Sequence, residues 1–523
     1  MAKIEEPTID VKLFVDKEKR RVLFAEADKD FVDVLFGWLT LPLGTIARLL
    51  GKQSQMGCLD QIYSSVEDLS TGYFQTKACK GMLLAPLNAA SSHCCQLKIN
   101  IDDTKKGAVY ICRDKSCSAD GGGCRFSSVP DAVCKCGKNM EYAGDWPENH
   151  GNLAPAGGDA DSGVFVSGCF KFIVTDDLIV APASTSLMMS LFQRFGVRDP
   201  ATLEKTVIQL NSQKITNLLG RSLTSKQSLT GFYFDIPIDS NGVDLFVLSE
   251  KFYAESADQQ NDTDQKVNNV KIRVLQARNN SLLYAEVSDD FVDLLFGSLS
   301  IPLGSMIKTY CRQCSLKGCV DNLYKSIDGS AKGCVRTECQ SLLLDPKATP
   351  FAGCRTTKIL QVEELAPRKL QIKACVQCIK ADGFADLDRC LKKTPDYSRN
   401  FGRIQYYQYT YCKNIVKSTN LLESNPKSPN EGSENGETYV KGGSTKFMVT
   451  DDLHILPLSM SSTLQVVRAA KIQPGKLLEK EITLTKFQIM ELLRAALVSP
   501  KVFSSVLLPA KKRKLDHLTP GLY

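Results

Sequence analysis

The chain has 523 residues, of which 43% are hydrophobic and 24% are charged, and its formal net charge is +7. This composition is typical of a globular protein with room for about two to five domains, and it excludes a chain that is disordered throughout. The modest positive charge is compatible with contact to nucleic acid or to an acidic surface, but it requires neither.

The sequence predicts neither export nor a membrane span. The first ten residues, MAKIEEPTID, contain early glutamates and no apolar core, so we expect no secretory signal. The longest uncharged apolar runs, 34–47 and 294–307, have 14 residues each, whereas a membrane span needs about 20. We therefore expect a cytoplasmic protein, a nuclear protein or both, in which the 20 cysteines are reduced thiols or metal ligands. With only four histidines in the chain, His-based catalysis is a weak hypothesis.

The N-terminal segment predicts a β-hairpin followed by two helices. Two apolar stretches flank the polar turn DKEKR, which is the pattern of paired strands. Phe31, Leu35 and Leu39 then recur at helical spacing and indicate one buried helix face. This helix is expected to end before Pro42, because proline lacks the amide donor that a continuing helix needs. Thr45 is a capping residue type and is expected to begin the second helix.

The same phrases return in the second part of the chain. DFVDVLFGWLTLPLG at 30–44 recurs as DFVDLLFGSLSIPLG at 290–304, with eleven of fifteen positions identical. GCLDQIY recurs as GCVDNLY, and KFIVTDDL as KFMVTDDL, in the same order. Strand and helix patterns mix without a strict alternation, so the predicted class is α+β. We predict two homologous tandem domains, each of which opens with a β-hairpin and a helix pair.

Polar stretches set the predicted domain boundaries. The first repeat domain spans 1–254 and contains a cysteine-rich segment at 110–140. The polar, non-periodic stretch 255–269 is predicted to be a linker. The second repeat domain spans 270–508, and a basic tail follows at 509–523.

The repeated phrases resemble a known family. VLFAEADKDFVDVLFGWLTLPLG, GCLDQIY and KFIVTDDL, present twice in this order, look like the plant-specific family known as domain of unknown function 674. The resemblance extends over nearly the whole chain to about residue 508 and implies two tandem copies. It implies no reaction, because no established activity comes with the family.

The cysteine-rich segment of the first repeat suggests a structural zinc site that resembles a zinc ribbon. Cys112 and Cys117 form a C-x4-C pair, and Cys134 and Cys136 form a C-x-C-G pair. Two such pairs supply the four thiolates of a tetrahedral site, which leaves no open position for a reactive water. Zinc ribbons usually use two C-x2-C pairs, so Cys124 in place of Cys136 is a second ligand set, and a loop of unliganded thiols is a third interpretation.

Other cysteines carry weaker hypotheses. The second repeat spreads Cys375, Cys378, Cys390 and Cys412 over 38 positions without a C-x-C-G turn, so we predict no metal there. An enzyme that uses Cys94, Cys95 or the CRQC thiols at 311–314 is an alternative function. It rests on the thiols alone, since the sequence contains no recognised catalytic motif.

The leading hypothesis for function is a non-enzymatic binding or scaffold protein with an unidentified protein partner. A nucleic-acid-associated nuclear protein is the first alternative, because the C-terminal tail carries a basic run. Such a run on an accessible tail is the form that a nuclear import receptor recognises. The residues of this predicted localisation signal are Lys511, Lys512, Arg513 and Lys514.

Overall fold

The computed structural model describes residues 6–104, 107–112, 125–145, 162–168, 171–237, 270–277, 282–310, 317–375, 392–395, 407–410, 416–428, 437–443, 445–471 and 477–508. Within these ranges helices and strands are mixed, and the predicted α+β class is confirmed. Short 3₁₀ helices lie at Trp38–Thr40, Thr71–Tyr73, Pro200–Thr202 and Ser298–Ser300.

The strands of the first half are β1 (Ile9–Asp16), β2 (Arg21–Ala27), β3 (Ala108–Ile111), β4 (Arg125–Ser127), β5 (Glu141–Asp145), β6 (Phe172–Thr175), β7 (Val180–Pro182) and β8 (Glu204–Leu210). Its helices are α1 (Lys29–Gly37), α2 (Leu43–Leu49), α3 (Leu59–Asp68), α4 (Lys77–Leu84), α5 (Ser91–Cys94), α6 (Thr185–Phe195), α7 (Ser212–Thr224) and α8 (Ser228–Tyr233).

The strands of the second half are β9 (Val270–Ala277), β10 (Leu282–Ser288), β11 (Lys369–Cys375), β12 (Lys392–Pro395), β13 (Tyr407–Thr410), β14 (Val416–Glu423), β15 (Lys446–Thr450), β16 (Ile455–Pro457) and β17 (Leu477–Leu484). Its helices are α9 (Asp289–Gly297), α10 (Leu303–Tyr310), α11 (Asp321–Asp328), α12 (Thr337–Leu344), α13 (Arg355–Leu360), α14 (Met460–Ala469), α15 (Lys486–Val498) and α16 (Val502–Leu507).

The two halves build sheets of the same design. Antiparallel strands follow the order β7-β6-β2-β1-β8 in the first half and β16-β15-β10-β9-β17 in the second. Each half opens with the predicted hairpin and helix pair, because apolar residues alternate along β1 and the following helix covers the apolar face. Homology of the halves remains an inference from sequence, and this equal strand order is what it predicts.

Helix α1 is buried on all sides, whereas the sequence predicted one apolar face. Its residues from Phe31 to Gly37 are buried, including the carboxyl of Asp33. One side packs on β1 and β2, and α11 of the second half packs against another. The second helix begins at Leu43 directly after Pro42, so Thr45 lies inside α2 and does not cap it. The Thr45 hydroxyl instead donates to the carbonyl of Pro86 at 3.3 Å.

After the PLG turns, each half sends its helices to the sheet of the other half. The Cys58 amide, before α3, donates to the carbonyl of Ala496 at 2.7 Å in α15. The corresponding Cys319 amide, before α11, donates to the carbonyl of Ser222 at 2.8 Å in α7. The helices α2–α4 and α10–α12 are therefore exchanged between the halves.

A second pair of hydrogen bonds, made by the short strands β16 and β7, also connects each sheet to a helix of the other half. The amide of Ile455 in β16 donates to the hydroxyl of Ser65 in α3 at 2.9 Å. The amide of Val180 in β7 donates to the hydroxyl of Ser326 in α11 at 3.0 Å. One continuous apolar core therefore contains residues from both halves. The predicted domain boundaries remain a prediction, and any division at 255–269 separates chain segments that share this core.

A third sheet also joins the two halves and was not predicted. Its strand order is β11-β14-β4-β3-β5, and the contact between the halves is a parallel pair of β4 with β14. Leu422 pairs with Arg125, and Glu423 pairs with Phe126, about 300 positions apart in sequence. This sheet carries the cysteine segment of the first half.

Candidate metal centre and adjoining cavity

The cysteine segment contains a tight hairpin that presents two thiols. The Cys134 amide donates to the carbonyl of Lys138 at 2.9 Å, and the Gly137 amide donates to the carbonyl of Cys134 at 2.9 Å. Gly137 has φ +80°, a conformation that a residue with a side chain rarely adopts, which explains the glycine after the second cysteine. Cys134 and Cys136 therefore lie on one turn.

Strand β3 brings a third cysteine to this turn. Cys112 directly follows β3, and its Sγ lies 3.5 Å from Sγ of Cys136. The Sγ atoms of Cys112, Cys134 and Cys136 all lie within 4.8 Å of one another. Thiolates of a tetrahedral zinc site are separated by about 3.8 Å, since each Zn–S bond is about 2.3 Å long. The spacing fits a shared metal ion and is too long for a disulfide, in which the sulfurs are about 2 Å apart.

The burial of the thiols differs in a way that suits a structural site. Cys134 is 2% exposed and packs with Ala132 and Met140 in a small apolar cluster, Cys112 is partly buried, and Cys136 is exposed. The cluster excludes water from one side of the thiols, while the exposed side leaves a path by which an ion can enter. Three thiols this close together could serve as ligands of one metal ion.

The structure brings together three of the four predicted ligands. The C-x-C pair reaches a common point, so Cys136 lies in the cluster and need not be replaced by Cys124. Cys117 and Cys124 both lie outside the described residues. So do Cys378, Cys390 and Cys412 of the second half, the thiols of CRQC at 311–314 and the whole basic run at 511–514. Predictions that rest on those residues stay predictions.

A cavity of about 410 Å³ lies beside the cysteine segment and is lined by residues of both halves. Strand β3 and the segment 128–130 form one wall of the cavity. Helix α4 and the residues after it form a second wall, and the loop 349–352 forms a third. Its apolar lining includes Met82, Leu84, Pro86, Val129, Phe351 and Leu365. A volume of this size and a mostly apolar lining are typical of sites for small molecules.

The charged groups of this cavity are mostly paired with each other. Glu423, 7% exposed, accepts hydrogen bonds from the amide of Arg368 at 2.9 Å and from its Nε at 3.4 Å. Ser128 also contacts both of these side chains. Arg48 forms an ion pair with Asp103. Glu423 is the buried member of its ion pair, and the further hydrogen bonds hold it in place, which pre-forms this part of the cavity.

The sequence did not predict the cavity. The walls of the cavity come from segments of both halves, and none of these segments carries a recognised sequence motif. The one available signal is IDDT at 101–104, two adjacent acids directly after an apolar residue. That signal is weak, because such pairs usually lie in exposed turns.

Two buried carboxyls support the loops that lead into β6 and β15. Asp33 accepts hydrogen bonds from the amides of Val164, Phe165 and Val166 at 2.6–3.0 Å. Asp293 accepts bonds from the amides of Tyr439 and Val440 at 2.6 and 3.0 Å. Burial raises the pKa of Asp33 and the pKa of Asp293 to about 6, because desolvation outweighs the stabilisation by these amides.

Each of the repeated TDDL phrases forms a turn, and one acid of each turn also bonds to a distant helix. Thr175 donates to Asp177 at 2.6 Å within the turn after β6. Asp176 is buried and accepts bonds from the amide and hydroxyl of Thr230 at 2.8 and 2.7 Å, which ties α8 to the sheet. Asp451 bonds the amide of Ser504 at 2.8 Å in the same way. Asp176 and Asp451 therefore each connect the turn to a helix later in the chain.

Two sheets of the same strand order and the exchanged helices define an α+β protein whose core is shared between its halves, and three of its cysteines could hold a metal ion. The chain belongs to the family described as Protein of unknown function (DUF674), whose model matches residues 5–486. The resemblance inferred from the repeated phrases is thereby confirmed, while plant specificity and two copies of the family domain stay predictions. Comparisons with curated proteins and with solved structures found no match. In the described part of the chain, no helix has both the length and the apolar character needed to cross a membrane.

Proposed function

We propose that the protein is a non-enzymatic binding protein in which a structural zinc ion braces one wall of a ligand cavity. The observation that carries this proposal is the position of the three thiols relative to the cavity. Residues 107–110 line the cavity and Cys112 follows them, while residues 128–130 line it and Cys134 follows them. One ion bound to both cysteines would hold these two segments of the wall together.

Several buried cysteines of the described residues are unsuited to the role of nucleophile in a thiol enzyme. A nucleophilic cysteine needs a lowered thiol pKa. Burial instead raises the pKa of Cys319 to about 12 and that of Cys339 to about 11, and it raises the pKa of Cys58 further. Cys94 is buried, with its sulfur 3.5 Å from the hydroxyl of Thr40. These thiols are suited to packing inside the core.

Metal content tests the zinc proposal directly. We expect the full chain, purified from zinc-supplemented cells, to contain about one zinc per molecule. Replacement of zinc by Co²⁺ should give the absorption of tetrahedral cobalt with thiolate ligands. Cys112→Ser and Cys134→Ser should each lose the metal and unfold at a lower temperature than the parent. Cys117→Ser tests the predicted fourth ligand, and Cys124→Ser tests whether Cys124 supplies that ligand instead.

Cys95→Ser is the matched control, since Cys95 is an exposed thiol outside the cluster. It should keep the zinc content and the melting temperature of the parent. A chain that lacks zinc, or a Cys134→Ser variant that keeps it, would overturn the zinc proposal. Removal of the metal by a chelator should lower the melting temperature as much as Cys134→Ser does.

A further inference from the structure

We propose that the cavity binds a small, mostly apolar molecule that carries a protonated amine, and that Asp102 holds the amine. This inference rests on the proposed binding function and adds the chemical class of the ligand. The cavity is the one lined by β3, the segments 81–91 and 128–130, and the loop 349–352.

Asp102 is the residue from which we infer a ligand with a protonated amine. Asp102 is one of the residues that line the cavity, and it is only 5% exposed. One carboxylate oxygen, Oδ1, accepts a bond from the amide of Thr104 at 3.0 Å. The other oxygen, Oδ2, is buried and has no hydrogen-bond partner among the described residues. A buried carboxylate oxygen without a donor is costly, so a donor supplied by a ligand would be strongly favoured.

The charge balance of the cavity favours a cationic donor over a neutral one. Among the described lining residues, Arg368 is paired with Glu423 and Arg48 with Asp103. Asp102 has no cationic partner among the described ion pairs. A protonated amine would neutralise it and form a charge-assisted hydrogen bond, which is stronger than a neutral one. Nε of Arg48 is buried and has no hydrogen-bond partner among the described residues, so an acceptor atom on the ligand would give this donor a partner.

The corresponding acid of the second half, Glu363, is not buried as Asp102 is, and the two residues can be compared within one protein. The pair Glu363 and Glu364 follows Val362 as Asp102 and Asp103 follow Ile101. Glu363 forms an ion pair with Lys347 at 2.7 Å, and its side chain is 68% exposed. Its carboxylate is therefore solvated and has a partner, and it provides no anchor for a ligand.

Three probes of similar shape and different charge test the inference on the full chain by calorimetric titration. Tryptamine is the cation, skatole is the neutral compound and indolepropionate is the anion. We expect tryptamine to bind about tenfold or more tightly than the other two, the effect of one charged hydrogen bond in a buried site. Asp102→Asn should remove this preference, and Glu363→Gln should retain it.

A blocked cavity separates specific binding from weak surface binding. Ala85 is exposed and lines the cavity, so Ala85→Trp should fill the space without crowding the core, and circular dichroism checks that the variant folds. We expect it to abolish binding of tryptamine. Equal affinity for all three probes, or an unchanged preference in Asp102→Asn, would overturn the ligand class but leave a binding cavity. No binding of any probe to the parent would overturn the binding function itself, and the zinc content would be unaffected.

Discussion

The backbone amide of Leu43 donates a hydrogen bond to the carbonyl oxygen of Ile301, 3.0 Å away. Leu303 returns the equivalent bond to the carbonyl of Leu41 at 2.9 Å. The two PLG turns, which end the repeated phrases at 30–44 and 290–304, therefore meet at the point where the halves cross. Pro42 and Pro302 pair as an isolated antiparallel bridge at this crossing.

The crossing has no room for a side chain at its glycines. A Cβ on Gly44 would lie 2.8 Å from the carbonyl oxygen of Leu83 and 3.1 Å from that of Leu299 across the crossing. A Cβ on Gly304 would lie 2.9 Å from the carbonyl oxygen of Leu39 across the crossing. We expect Gly44→Ala and Gly304→Ala each to lower the free energy of unfolding by about 1–3 kcal/mol, the usual cost of overpacking. Urea unfolding measures this difference.

Gly81 provides the matched control for the crossing glycines. It lies in α4, and a Cβ there would meet nothing within 4 Å. Gly81→Ala should stabilise the protein by up to about 1 kcal/mol through helix propensity. If Gly44→Ala and Gly304→Ala were as stable as Gly81→Ala, the close approach of the two turns would be wrong.

Cleavage between the halves should not separate them. We would insert a protease site within 255–269, the predicted linker, and cut the folded protein. The exchanged helices α2–α4 and α10–α12 share one core, so the two fragments should elute together in size-exclusion chromatography until denaturant is added. The zinc should stay with the N-terminal fragment. Separation into two folded monomers in native buffer would show independent tandem domains instead.

Stability should fall as the pH rises through the range set by the buried acids. Asp33 and Asp293 have pKa values of about 6 in the folded protein, against 3.8 as the ordinary value. The folded state therefore holds more protons than the unfolded state between these values, and the free energy of unfolding decreases as the pH increases. Each carboxyl contributes at most about 3 kcal/mol, from 1.36 kcal/mol per pH unit over about two units.

The comparison with amide variants isolates this contribution from that of other carboxyls. Asp33→Asn and Asp293→Asn do not titrate, so the parent should lose stability relative to each variant from pH 4 to pH 6. Urea unfolding at several pH values measures the difference. A constant or widening advantage of the parent across this range would contradict the raised pKa values.

The basic tail carries the prediction of nuclear residence. In a fluorescent fusion, replacement of Lys511, Lys512, Arg513 and Lys514 by alanine should lower the nuclear fraction, because an import receptor engages the cations in acidic pockets. At 57.6 kDa the chain would pass nuclear pores slowly without a signal. A deletion of 515–523 that keeps the basic run is the control and should leave the nuclear fraction unchanged. An unchanged distribution of the alanine variant would remove the main support for a nucleic-acid-associated role.

Local elements were predictable because their signals lie within a few residues. The hairpin, the break at Pro42 and the helix after Thr485 follow from turn, proline and capping patterns, and Thr485 forms a capping box with Gln488. The thiol cluster was predictable in part, since Cys134 and Cys136 are close in sequence. Cys112 could be proposed as a third ligand only because a ribbon needs two pairs.

The exchange of helices was not predictable from the periodicity. Cys58 and Cys319 stand in similar phrases, and the helices they meet, α7 and α15, have a similar pattern of apolar residues. A helix that fits the sheet of its own half fits the sheet of the other half almost equally well, so the pattern of apolar residues does not choose between them. The pairing of β4 with β14 has the same difficulty, because contacts about 300 positions apart leave no local pattern. The exchange of helices and the pairing of β4 with β14 together determine where the cavity lies.

The reciprocal hydrogen bonds of Leu43 and Leu303 also imply that a single half would need a partner. A chain with only one copy of this plan would leave its sheet uncovered and its helices without a surface, and a second identical chain would complete it as a closed twofold dimer. Joining both protomers in one polypeptide makes their association independent of concentration. It also lets the protomers differ, so that one can carry the Cys134 hairpin while the other serves as its fixed counterpart.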